Sequence, residues 1–209
     1  MEFCIEWWKD FLDVLGSIAV IIASGAAIWG IDSWRKELKG KKEHDLAEEV
    51  LALFYQAKDN IATIRSPFGS TGEGKTRKSS KKESEEQKQA LDNAYVVYER
   101  YERYREAFNR IHATRYRFMA LFGKDKVKPF VELSNIVQEI FMAANMLGTY
   151  FWKLNARGYG DSKKEEKFIA DMREQEAVFW AMGDDDKIAP RVEEVIKDIE
   201  KICEPILRK

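Results

Sequence analysis

The chain has 209 residues, 45% apolar and 34% charged, with 35 basic and 36 acidic side chains and a formal net charge of −1. That is enough apolar material for a core, so a disordered chain is excluded, and four prolines with twelve glycines exclude collagen-like and low-complexity classes. The balanced charge argues against a globally basic nucleic-acid binder, and two cysteines, Cys4 and Cys203, cannot build a disulfide framework or a four-thiolate zinc site.

One segment departs from this average. Residues 14–31 are eighteen in a row without a charge. A helix of that length covers roughly 27 Å, close to the hydrocarbon thickness of a bilayer. Trp7 and Trp8 precede it, and Trp29 and Trp34 close it, as the interfacial preference of indole would place them. The N-terminal flank carries Glu2, Glu6, Asp10 and Asp13. The other flank carries Arg35, Lys36, Lys39, Lys41 and Lys42. The excess of basic residues predicts a transmembrane helix over 14–34, with a short tail, 1–13, outside and 35–209 in the cytoplasm. A cleaved signal peptide would want a basic start and a shorter apolar core. A helix lying on the membrane surface would need a polar face, and 14–31 has none. A buried helix of a soluble domain is the stronger rival, because eighteen residues is near the lower limit for a span. Within the segment, Gly16, Ala19, Ala23, Ala27 and Gly30 recur every three or four positions. They form a small-residue face suited to close helix–helix contact in a membrane.

Beyond the span the apolar spacing is helical throughout, with no alternating strand pattern. Leu46, Val50, Leu53, Ala57, Ile61 and Ile64 predict a first helix ending near Arg65-Ser66-Pro67, with Gly40 as a weak point upstream. Residues 66–86 are polar and nearly free of apolar side chains, which predicts a mobile loop. Ser84 and Gln87 suggest a capping box opening a helix over 87–122, stopped by Gly123. Pro129 suits the first turn of the next helix. Phe130, Leu133, Val137, Ile140, Ala144, Leu147, Phe151 and Leu154 form its seam. Gly158 and Gly160 break that seam, and Ser162 with Glu165 suggests another capping box. A helix over 163–182 then carries Phe168, Met172, Phe179 and Met182, and Gly183 ends it. One of Asp184, Asp185 or Asp186 caps the last helix, whose seam is Ile188, Val192, Val195, Ile199, Ile202 and Ile206. The expected fold is all-α, an N-terminal transmembrane helix followed by an antiparallel bundle of about five helices.

Motifs with chemistry are few. Residues 69–76 (Gly-Ser-Thr-Gly-Glu-Gly-Lys-Thr) match the phosphate-binding P-loop letter for letter, but no strand precedes them and no helix pattern follows. The helix over 87–122 interleaves Tyr95, Tyr98, Tyr101 and Tyr104 with Arg100, Arg103, Arg105, Arg110, Arg115 and Arg117. Glu99, Glu102 and Glu106 stand at pairing distance, so packing with surface ion pairs is favoured over a nucleic-acid platform. The stretch from Lys75 to Lys82 reads as a solvated loop. His44 and His112 have no second ligand at metal spacing, and Asp184 to Asp186 read as a cap. No nucleophile, base and orienting group assemble, and no cofactor is expected.

The stretches Trp34-Arg35-Lys36-Glu37, Leu46-Ala47-Glu48-Glu49-Val50-Leu51, Ile64-Arg65-Ser66-Pro67-Phe68 and Arg115-Tyr116-Arg117-Phe118-Met119 resemble a set of uncharacterised bacterial single-span membrane proteins. The resemblance implies an N-terminal anchor and a cytosolic helical body. It implies no activity and carries over no functional residue.

The expected function is a non-enzymatic, membrane-anchored interaction or scaffold module at the cytoplasmic face of the bacterial inner membrane. It would contact lipid, and either self-associate or hold a membrane or cytosolic protein; nucleic acid is not an expected partner. The alternative is a membrane-perturbing effector of a stress or defence response with a cytosolic sensing bundle. A third reading is enzymatic: a cytosolic site on the arginine-rich helix that acts on phosphates through Arg103, Arg110 and Arg117.

Overall fold

A computed structural model describes residues 2–152, 162–182 and 186–208, excepting the side chains of 2–14, 17, 19 and 162–164. Among the described residues there are five α-helices and no strand, so the all-α expectation holds. They are α1 (Glu2–Ile64), α2 (Glu85–Phe122), α3 (Lys128–Met146), α4 (Ser162–Phe179) and α5 (Ala189–Leu207). A 3-10 turn, Lys124–Val127, leads into α3, and a π-helical turn, Leu147–Phe151, extends it. By packing, the chain divides into Met1–Asp45 and Leu46–Lys209.

In the first unit, α1 passes through Gly40 without a break. A glycine in an exposed helix costs about 1 kcal/mol relative to alanine, too little to stop a long helix. An N-terminal transmembrane helix is not found among the described residues, where no helix is long and apolar enough to cross a membrane. The uncharged stretch 14–31 includes positions 14, 17 and 19, whose side chains are not described.

The second unit begins at Leu46, the first buried residue of α1 among those described. Leu46, Val50, Leu53, Ala57, Ile61 and Ile64 are all buried, as their spacing predicts, and Phe54 joins them. Phe54 meets Phe130 of α3 edge to face at 4.8 Å. Helix α2 opens on the expected capping box, with Ser84 and Gln87 bonding each other's backbone N–H. It stops at Gly123, whose φ of 96° suits glycine. Pro129 stands in the first turn of α3.

Helix α3 packs against α2, α4 and α5, so its buried stripe is wider than a two-position seam. Phe130, Leu133, Ile140, Ala144, Leu147 and Phe151 are buried as expected, and Ile136 and Ala143 are buried as well. Val137 is only partly buried, and Leu154 lies outside the described residues. The π turn was not foreseen. Its wider circuit buries Leu147, Gly148 and Phe151 together. Gly148 is needed there, because a Cβ on it would sit 2.6 Å from the Ala94 Cβ.

Helix α4 ends at Phe179, earlier than Gly183, and Met182 is 56% exposed instead of packed. The chain leaves the helix because the Ala181 N–H donates to the Arg65 carbonyl at 2.8 Å. Ser162 belongs to α4 itself, and the position before it lies outside the described residues, as do Gly158, Gly160, Gly183, Asp184 and Asp185. Ile188, just before α5, is buried, as are Val192, Val195, Ile196, Ile199 and Cys203 within it, while Ile202 and Ile206 are partly buried.

Candidate functional site

In the first unit, side chains and helix geometry place an apolar surface without cover. Every residue from 20 to 42 is exposed. Val20 is 65% exposed, Ile21 71%, Ile22 66%, Ile28 64%, Trp29 75% and Trp34 63%. The exposed apolar residues lie all round the helix. Of the expected interface residues, Trp29, Trp34, Arg35 and Lys36 are exposed. Trp7 and Trp8 lie in α1, with side chains outside the described set. The small-residue face holds its register. Gly16, Ala23, Ala27 and Gly30 are exposed, and a Cβ at Gly16 or Gly30 would meet open space; the Ala19 side chain is not described. The Ser24 hydroxyl donates to the Val20 carbonyl at 2.8 Å, so this polar group is satisfied within the helix.

The second unit contains two buried arginines that spacing alone did not single out. Arg65, the residue after α1, is 1% exposed. Its Nε donates to the Val178 carbonyl at 2.8 Å, and its Nη2 to the carbonyls of Ala177 at 3.0 Å and Trp180 at 2.8 Å. Both terminal nitrogens reach the Asp186 carboxylate, at 2.8 and 3.1 Å. Asp186 Oδ1 also accepts from the N–H groups of Ile188 at 2.9 Å and Ala189 at 3.0 Å, so it serves the start of α5 from just upstream. Burial pushes the Asp186 carboxyl up. The Arg65 guanidinium and the two N–H groups outweigh burial, leaving it below its ordinary value. One side chain thus ties the end of α1 to the end of α4 and the beginning of α5.

Arg100 is 4% exposed and does the corresponding work at the other side of the same turn. Its Nη1 donates to the carbonyls of Thr63 at 3.4 Å, Ile64 at 3.2 Å and Ser66 at 2.6 Å, and its Nη2 to that of Phe68 at 3.1 Å. These include carbonyls that the last turn of a helix leaves without partners. Nη2 also meets Glu73 at 2.6 Å, and Arg103 reaches the same carboxylate at 3.2 Å. The bond from Arg100 holds the Glu73 carboxyl below its usual range, against burial that would raise it.

The other arginines of α2 mostly face outward. Arg103, Arg110 and Arg117 are 54%, 55% and 65% exposed, the first beside Glu73 and Glu99 and the other two beside Glu49. They are not gathered around a polar cavity. The tyrosines pack inward instead: the Tyr98 hydroxyl donates to the Phe141 carbonyl at 3.0 Å, and Tyr101 stacks on Phe108 at 5.0 Å.

The segment 66–86, expected to be mobile for want of apolar burial, has polar anchors that an apolar count does not register. Besides Glu73 on Arg100, Arg77 bonds Glu83 at 2.6 Å and Asp92 at 2.9 Å. The Gly74 N–H donates to the Glu99 carboxylate at 2.8 Å, and the Thr76 hydroxyl to the same oxygen at 2.9 Å. In a phosphate cradle the backbone N–H groups face a bound anion. Here a carboxylate of the same chain meets one of them, α1 precedes the loop and turns follow it, so the P-loop lettering has no P-loop around it. Gly74 is buried with φ at 83°, and a Cβ there would collide with the Asp92 carbonyl oxygen. Gly74→Ala is therefore expected to free this segment while leaving the helices intact. Trypsin should cut between 75 and 82 at least several-fold faster, with unchanged helical circular dichroism.

Among the described residues no three His, Cys, Asp or Glu side chains come together as a metal site. His44 and His112 are exposed, the latter edge-on to Tyr116 at 5.7 Å. Cys203 is fully buried, and burial pushes its thiol up to about 11, far from a reactive thiolate. The Cys4 side chain is not described. Compared with known proteins, the chain matches no family model, no curated protein and no solved structure.

Proposed function

We propose that this chain is a membrane-anchored, non-enzymatic interaction module of the bacterial inner membrane. Residues 14–34 cross the bilayer with the N-terminus outside, and 35–209 form a cytoplasmic helical body that gathers or positions a protein partner. The observation that carries this reading is the uncovered apolar surface of α1. Leu15, Ile18, Val20, Ile21, Ile22, Ile28, Trp29 and Ile31 are all exposed. Leaving them in water forgoes on the order of 10 kcal/mol of transfer free energy, which lipid would supply. Regular helix over this stretch satisfies the backbone internally, as a hydrocarbon environment demands. The cluster from Arg35 to Lys42 supports the orientation by the bias of positive charge toward the cytoplasm. The face of Gly16, Ala19, Ala23, Ala27 and Gly30 would let two such helices approach closely, so self-association is part of the proposal.

Membrane fractionation tests it. The full chain is expected to stay in the pellet after an alkaline carbonate wash. Ile22→Arg, which costs about 3 kcal/mol of insertion free energy, should move a substantial fraction to the supernatant. A wild-type chain that leaves the pellet with the wash, or a variant that stays as fully as wild type, contradicts the anchor. In-membrane crosslinking that yields only monomer, unchanged by Gly16→Leu and Ala23→Leu, contradicts the association.

A further inference from the structure

Of the six arginines of α2, five stand beside carboxylates and the sixth, Arg115, does not. It lines a cleft of about 200 Å³ between α2 and α3. Its Nε is closed off from solvent and bonds nothing. A buried donor without an acceptor costs roughly 1–3 kcal/mol, and an acceptor arriving from elsewhere would recover that cost. The cleft suits a small guest. Phe108, Ile111 and Leu133 give it apolar walls, each at most 9% exposed. Asn109 and Ser134 add polar side chains to its lining. A cavity of about 150 Å³ accommodates benzene, so this one holds an aromatic or branched aliphatic body with a few atoms more.

We infer that this cleft binds a small organic carboxylate: the apolar body rests on Phe108, Ile111 and Leu133, and the carboxylate docks on Arg115. A turn of the guanidinium that presents its Nε–Nη edge gives the side-on, two-bond geometry that arginine offers carboxylates, and supplies the missing acceptor. The site lies wholly within Leu46–Lys209 and does not depend on the membrane reading.

The probes are 4-fluorobenzoate and its neutral counterpart 4-fluorobenzamide, each observed by fluorine NMR line broadening with the full-length chain in detergent micelles. Empty micelles serve as the blank. The benzoate is expected to broaden with wild type, and Arg115→Met to weaken its binding about tenfold or more while changing benzamide little. Ser134→Trp, which fills the cleft, should abolish both. Because Arg115 carries an unsatisfied donor, Arg115→Met should melt no lower than wild type. A purely structural arginine would lower the melting temperature on removal. The inference is overturned if benzoate does not broaden above the blank, if Arg115→Met binds it as wild type does, or if Ser134→Trp leaves its binding intact. If Ser134→Trp does not fold, Val137→Trp, on the same wall, replaces it under the same criterion.

Discussion

Replacing Arg65 by methionine is expected to destabilise the helical body by about 3–5 kcal/mol, the cost of leaving a buried charged partner and its acceptors behind. The substitution keeps the length of the stem and removes all the donors. The carbonyls of Ala177, Val178 and Trp180 lose their partners, and Asp186 keeps only its two backbone N–H groups. Urea denaturation monitored by circular dichroism measures the loss. Asp186→Asn, which retains an acceptor for Ile188 and Ala189 while removing the charge, should cost less, roughly 1–3 kcal/mol. The pH dependence has a definite sign. The folded carboxyl titrates below its ordinary value, so its contribution is complete above that value and disappears as pH falls through the folded one. The gap between wild type and Asp186→Asn should therefore narrow in acid. A gap that widens as pH drops, or an Arg65→Met variant as stable as wild type, would show that the guanidinium is not what fastens α4 and α5 to α1.

Arg100→Met should have an effect of the same order, about 3–5 kcal/mol, for a related reason. It removes a shared donor from the carbonyls of Thr63, Ile64, Ser66 and Phe68 and leaves Glu73, 10% exposed, with Arg103 as its remaining ion-pair partner. Glu73→Gln, which keeps the shape and one acceptor, should cost roughly 1–2 kcal/mol near neutrality. Glu73 is also held below its ordinary value, so its stabilisation is present above that value and lost on acidification. As pH falls from the ordinary glutamate range through the lower folded value, the Glu73→Gln and wild-type proteins should converge. Thermal melts across that range check it, and parallel curves at every pH would mean the charge of Glu73 contributes nothing. Arg100→Lys separates charge from geometry. An ammonium cannot span four carbonyls and a carboxylate, so it should recover only a minor part of the loss.

These two arginines mark where sequence reasoning stopped. The helices were legible because their determinants are local. Leu46 to Ile64 repeat at helical spacing, Ser84 and Gln87 cap, Gly123 stops, and Pro129 starts. The arginines of the 87–122 helix were read as surface ion-pair residues and Arg65 only as a helix end, and the partners lie far along the chain, Val178 and Asp186 for Arg65, Glu73 and the end of α1 for Arg100. No spacing rule reaches that distance. A signal was nevertheless present. Arg65 falls four positions after Ile61, and Arg100 falls three after Val97 and four after Val96, so each stands where the buried stripe would continue. Arg103, Arg110 and Arg117 are seven apart and face solvent. A cation at an apolar register position is the pattern that separates the two kinds. Asp186 was one of three candidate caps, and the arginine it serves was not foreseeable from that role. The π turn was also beyond reach, because an extra residue in a helical circuit leaves the apolar spacing of Leu147 and Phe151 unchanged. The exposed apolar residues of α1 were legible in local composition, while a membrane-spanning helix is not found among the described residues.

The way residues 66–84 are fastened has a thermodynamic consequence. Glu73, Gly74, Thr76 and Arg77 hold the segment to α2 by charge and hydrogen bonds, with almost no greasy surface between them. Urea sensitivity and heat-capacity change both scale with the surface that opening exposes, so lifting this clasp would carry little of either. Its ion pairs are mostly shielded from water, so added salt screens them little, but acid acts directly on them, because the Glu73 and Glu83 carboxyls are both held low by their arginines. One polypeptide therefore carries two closures of different temperament, and proton uptake loosens the first by a route that the interlocked aliphatic centre of the bundle does not share.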